Sequence, residues 1–211
     1  MRCFQTFYSL CFALLPLTFI IDGNSQPLID SNLPIVIIAT DGNAPIPDQP
    51  RILANMKIIY RGEGARNSVS DQNDPAALNY NGRIEIEIRG SSSQSLPKKQ
   101  YGLTTLESDN VSNNNVALLG MPKENDWVLN GLAFDASLLR DYISYTLSTS
   151  IGQYAPRTRY CEVIINGDYK GLYLLQEKIR WMITGSTSLK LNRLTMYCLI
   201  FPVVISQRPT R

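Results

Sequence analysis

The sequence contains no histidine. Ser-His-Asp and Cys-His nucleophilic sites, HExxH zinc sites and imidazole acid–base catalysis are therefore excluded within this chain. Charge is sparse as well. Only 18% of residues are charged and the net charge is +2, which gives no reason to expect nucleic acid or an anionic membrane surface as a main partner. The four cysteines, Cys3, Cys11, Cys161 and Cys198, have spacings that fit no metal motif. Cys161 lies in a strand pattern and reads as a small core residue. No internal repeat is visible. Any chemistry has to come from carboxylates, lysine, arginine or backbone dipoles.

What is present is a globular composition. The 211 residues are 44% hydrophobic, enough for one domain, or one and a half, with a sizeable core. Residues 1–25 have the order of a secretory signal: Arg2, an apolar stretch from about Phe7 to Ile21, then a polar break with Gly23 and Ser25. The stretch is short for a transmembrane helix and contains Pro16. The expectation is export, to the periplasm, the cell surface or the medium, with the membrane met only through the signal segment. A retained anchor and a buried first strand are the other readings.

Period-two and β-branched patterns predict strands at 33–39 and 52–60, with the proline-rich 43–50 between them. Residues 62–82, rich in Gly, Asn, Asp and Ser, read as a long loop. Arg83-Ile-Glu-Ile-Glu-Ile-Arg89 alternates strictly and predicts a half-buried strand that ends at Gly90-Ser-Ser-Ser93. A return strand is expected from Lys99 to Leu106. Apolar residues at 138, 139, 142, 143 and 147 share one helical face, with Asp135 as N-cap and Gly152 as stop. Asn166-Gly167 between two strand-like runs predicts a tight hairpin. The fold class is α+β: a β-rich leader over 26–82, then antiparallel strands with one main helix over 83–179, then a tail over 180–211.

Four segments, in order, resemble the CotH (spore coat protein H) family of atypical protein kinases. They are Arg89-Gly-Ser-Ser-Ser-Gln-Ser-Leu-Pro-Lys-Lys-Gln-Tyr101, Leu118-Leu-Gly-Met-Pro-Lys-Glu-Asn-Asp-Trp-Val-Leu129, Asp135-Ala-Ser-Leu-Leu-Arg140, and Tyr154-Ala-Pro-Arg-Thr-Arg-Tyr160 running into the hairpin that ends Gln176-Glu-Lys-Ile179. Each is weak alone; order and spacing make the match specific. The leader also looks like that of exported bacterial members.

The resemblance implies the first lobe of a kinase-like fold that transfers phosphate from ATP, with magnesium or manganese, to Ser or Thr of a protein substrate. It implies a nucleotide site built from Gly90, Ser92, Ser93, Lys98, Lys99 and Glu177, with Lys99 the first candidate for the phosphate lysine. A Gly/Ser turn lets backbone N–H groups approach phosphate oxygens, and a lysine beyond it offsets their charge. Lys98 and Lys99 face opposite ways in an extended segment, so one of them points inward. Without the family, the same turn and lysines read as a solvated loop. Trp127 reads as a core anchor and Asp126 as its structural neighbour; Arg140, Asp141, Arg157 and Arg159 read as solvated or capping charges.

The chain departs from the family after the hairpin. The family's Asn/Asp-rich catalytic loop and Asp-x-Asp metal motif do not appear, so no catalytic or metal residue is assigned. Beyond Glu177 there is no acidic residue, while Arg180, Lys190, Arg193, Arg208 and Arg211 remain. Leu194–Ile205 is apolar but too short to span a bilayer. The expectation is a CotH fragment truncated by a frameshift or early stop, without kinase activity of its own. The alternatives are a non-catalytic envelope-binding or structural protein and, more weakly, an adhesion or carbohydrate-binding module.

Overall fold

The computed structural model describes residues 27–179. The expected signal segment and the basic tail lie outside the described residues.

Seven strands close into a barrel: β1 (Ile35–Thr40), β2 (Ile52–Ile59), β3 (Leu78–Arg89), β4 (Gln100–Leu106), β5 (Asp126–Asn130), β6 (Thr158–Ile165) and β7 (Asp168–Glu177). Their order around the barrel is β6-β7-β5-β4-β3-β2-β1, and β1 returns to β6. Every pairing is antiparallel except that seam, where Ile35 to Ile38 run parallel to Glu162 to Ile165. Closure leaves the seven strands no open edge.

The alternation of each strand explains the core. Ile84 and Ile86 of β3 point inward, their charged neighbours outward. Ile86 lies opposite Leu103, Leu103 opposite Trp127, and Trp127 opposite Glu177 at one end of β7. Val36, Ile38, Met56, Ile58, Leu129, Cys161, Val163, Tyr173 and Leu175 fill the same interior. Trp127 is fully buried, as its anchor reading requires.

Three sequence expectations change. The loop read at 62–82 ends early, because β3 begins at Leu78. Asn79, Asn81 and Gly82 are poor strand formers, but β2 holds them: Ile58 pairs with Tyr80 and Met56 with Gly82. The Tyr80 ring lies so close over Gly82 that a Cβ there would meet its hydroxyl at 2.6 Å. The boundary placed at 82/83 therefore falls inside β3, and leader strands β1 and β2 are staves of the same barrel. Strand β5 was not anticipated as a strand.

The helix, α1, spans Arg140–Ser150 rather than starting at Asp135. Leu138 takes φ 57, the left-handed region, which stops a right-handed helix from running through it. The Tyr160 hydroxyl donates to the Leu138 carbonyl at 2.5 Å and holds that turn. Asp135 still serves the helix. One carboxylate oxygen accepts from Arg140 N at 2.8 Å and the other from Ser137 N at 3.0 Å.

The face that α1 buries overlaps the expected one only at Tyr142. Its half-buried positions are Asp141, Tyr142, Tyr145 and Ser148. Asn130 Nδ2 donates to Asp141 at 2.7 Å, and the Tyr142 ring lies 5.2 Å from that of Tyr160. Leu139, Ile143 and Leu147, expected in the core, are exposed on the opposite side.

Candidate functional site

The β6–β7 hairpin positions one wall of the site. Asn166 and Gly167 take φ 51 and 80, the mirror-image turn expected from their sequence. Three residues on, the register shifts: Ile164 pairs with Tyr169 but Val163 with Gly171, leaving Lys170 as the bulged residue. The bulge sets Gly171, Leu172 and Tyr173 against the connection between β3 and β4.

That connection is the Gly/Ser turn and its two lysines, and it is closed by its own side chains. Gly90 takes φ 112, and a Cβ there would fall 2.0 Å from Ser93 Oγ, so the position requires glycine. Gln94 Nε2 donates to the Gly90 carbonyl at 2.8 Å and to Asp48 at 2.7 Å. Lys99 Nζ donates to the Gln94 carbonyl at 2.6 Å. Lys98 reaches the other way. Its ammonium donates to the Leu172 carbonyl and sits 4.7 Å from the centre of the Tyr173 ring, a cation–π contact. The Tyr173 hydroxyl donates to the Lys99 carbonyl at 3.0 Å. Gly131, just past β5, lets this chain pass: a Cβ there would stand 2.8 Å from the Lys99 carbonyl oxygen.

Gly90, Ser92, Ser93, Lys98 and Lys99 thus share one end of the barrel. A shallow cavity of about 320 Å³ opens at the same end, lined by Ile46, Ile88, Tyr101, Ile165, Asp168 and Lys170. The Tyr101 ring lies 6.1 Å from that of Tyr173 and links cavity to lysines. Among the described residues neither Lys98 nor Lys99 forms an ion pair; they meet carbonyls and a ring. Burial pushes the Lys98 ammonium below the usual lysine range, and the attraction of Glu162 offsets part of that. Cys161 is fully buried and its thiol is pushed up to about 12, so it is inert.

Residues 86–185 match the family of the CotH kinase protein. Over that segment the chain is CotH-like. No curated protein matches it. All four resemblance segments begin within the CotH-matched residues, and the match runs past the hairpin to residue 185. Leader strands β1 and β2 precede the match, yet they complete the barrel on which the CotH segments are mounted.

Glu177 does not join the CotH cluster. It lies five residues beyond Leu172 on β7, about 17 Å along an extended strand. There it is buried and accepts from Arg157 N at 3.2 Å, with the Arg157 guanidinium 4.0 Å away. Asp126 has an anchoring role on the outer surface. It accepts from Thr104 Oγ1 at 2.6 Å, and Lys178 and Arg51 stand 3.7 and 3.9 Å from it. Arg140 is exposed, 3.5 Å from Asp135.

Sequence reasoning missed Tyr173, Gly131 and the Leu172 carbonyl. The Leu172 and Tyr173 contacts with the lysines join positions 74 residues apart, and none of the three has a local signal. The donors gathered here are two ammoniums and the Tyr173 hydroxyl, each bonded to a backbone carbonyl; ammoniums are suited to anionic oxygens. No group of three His, Cys, Asp or Glu that could hold a metal occurs among the described residues.

Proposed function

We propose that this chain is the nucleotide-holding part of an exported CotH-type, ATP-dependent protein kinase. Gly90, Ser92 and Ser93 with Lys98 and Lys99 take the phosphates of ATP, and the phosphates themselves bring the magnesium or manganese. The observation that carries this reading is a pair of lysine ammoniums beside a Gly/Ser turn with no carboxylate paired to either among the described residues. Such a pair is a standing attraction for a multiply charged anion. Lys98 is the better placed of the two, because it reaches across to β7 while Lys99 turns back within its own turn. The described residues hold no cluster of three or more His, Cys, Asp or Glu that could bind a metal ion.

Calorimetric titration of the full chain with ATP and magnesium tests this. Saturable binding is expected, weakened at least tenfold by Lys98→Ala and by Lys99→Ala. With labelled ATP and an acceptor protein, turnover should not exceed that of the Lys99→Ala protein. A second reading is a non-catalytic binding scaffold of the cell envelope. The exposed apolar side of α1 favours it, and an absence of ATP binding would select it.

A further inference from the structure

Nine large apolar side chains are exposed among the described residues, and six of them lie between Phe134 and Tyr154. Phe134, Leu139, Ile143, Leu147, Ile151 and Tyr154 are each between 47% and 72% exposed. Four of the six recur every fourth residue, so they form one stripe along the side of α1 that faces away from the barrel. Single exposed apolar residues are ordinary, but a continuous stripe of this kind marks a surface that something covers. No charge interrupts positions 142–151.

The path of the chain points to the cover. Strand β7 ends at Glu177, which accepts from Arg157 N in the segment that follows α1, three residues beyond Tyr154. Ile179 is itself exposed. The chain therefore continues into residue 180 from beside the far end of the stripe. It then carries Leu194–Ile205, twelve residues without a charge. Residues 180–193 can span about 45 Å when extended, and the stripe from 139 to 151 is about 18 Å long. Reach is not limiting. A tethered segment also meets the stripe at an effective concentration of order millimolar, which a second copy in dilute solution does not match.

We propose that Leu194–Ile205 of the same chain docks on the apolar stripe of α1, burying Leu139, Ile143, Leu147 and Ile151. The proposal is independent of the nucleotide reading, since the stripe and the lysine cluster share no residue.

Cys198 provides a native probe within the apolar run. In the full chain with Cys3→Ser and Cys11→Ser, Leu147→Cys should be joined to Cys198 by a short bismaleimide. The product should have the mass of one chain, and a cross-linked peptide should contain both positions. Ile143→Cys should behave alike, while Glu63→Cys, on the loop after β2, should not react with Cys198. Cys161 stays silent because it is fully buried. Products with the mass of two chains would place a second copy on the stripe and overturn the proposal. Free labelling of both cysteines without a bridge would show the stripe bare and overturn it equally.

Discussion

Lys98 and Lys99 are neighbours in sequence with opposite circumstances. Lys99 turns back to the carbonyl of Gln94 within its own turn, whereas Lys98 crosses to Leu172 and the face of Tyr173. Burial disfavours the charged form of Lys98, and its pKa is lowered. The sign follows: the unfolded chain holds this proton more tightly than the folded one. The group therefore weakens the fold while charged, and that penalty fades as pH rises through its lowered pKa. A cation kept at such a cost is a mark of function. Lys98→Met should leave the melting temperature unchanged or raise it, and should weaken ATP binding at least tenfold. A fall of several degrees by differential scanning calorimetry would make Lys98 a structural residue instead. ATP binding should also fall off at a lower pH than an ordinary lysine would dictate, which titrations across alkaline pH would register.

At the scale of the element, α1 is legible as a helix and illegible in its orientation. Apolar periodicity marks a face, but two faces of this helix are usable. Asp141 and Tyr142 meet the barrel through a carboxylate–amide bond and a tilted ring contact, while the aliphatic face is left outward. The start was misplaced for a local reason, the left-handed Leu138, which no propensity scale would put there. Asp135 nonetheless acts as a cap at a distance, and Ser137 and Arg140 hold its carboxyl down to about 2. A depressed carboxyl contributes stability above its ordinary value of 3.8 and loses it as pH falls through about 2. Asp135→Ala should therefore lower hydrogen-exchange protection of residues 140–150 at neutral pH. The difference from the parent should shrink between pH 4 and pH 2. A pH-independent difference would assign the effect to packing rather than to the charge.

For the whole molecule, the decisive contact is the parallel seam between β1 and β6. It joins the leader to the CotH segment over a sequence distance that no period can report. The two parts share one interior, in which Ile38 of the leader and Cys161, Tyr173 and Leu175 of the CotH segment belong to the same cluster. They should unfold together. Ile38→Ala should cost about 2–5 kcal/mol. Hydrogen exchange should show that cost equally in peptides from β1 and from β5. Loss of protection confined to β1 and β2 would make the leader a separate unit.

The sequence by itself determined the strands whose alternation is strict, the Asn166-Gly167 turn, the glycine at position 90 and the order of segments that marks the family. These are properties of adjacent residues, set by side-chain periodicity and backbone sterics. Tertiary structure alone decided the closure of the barrel, the partners of two adjacent lysines, the separation of Glu177 from them and the side of α1 turned to water. Each of those depends on which distant strand lies alongside, and pairing energy between distant residues leaves no trace in local pattern.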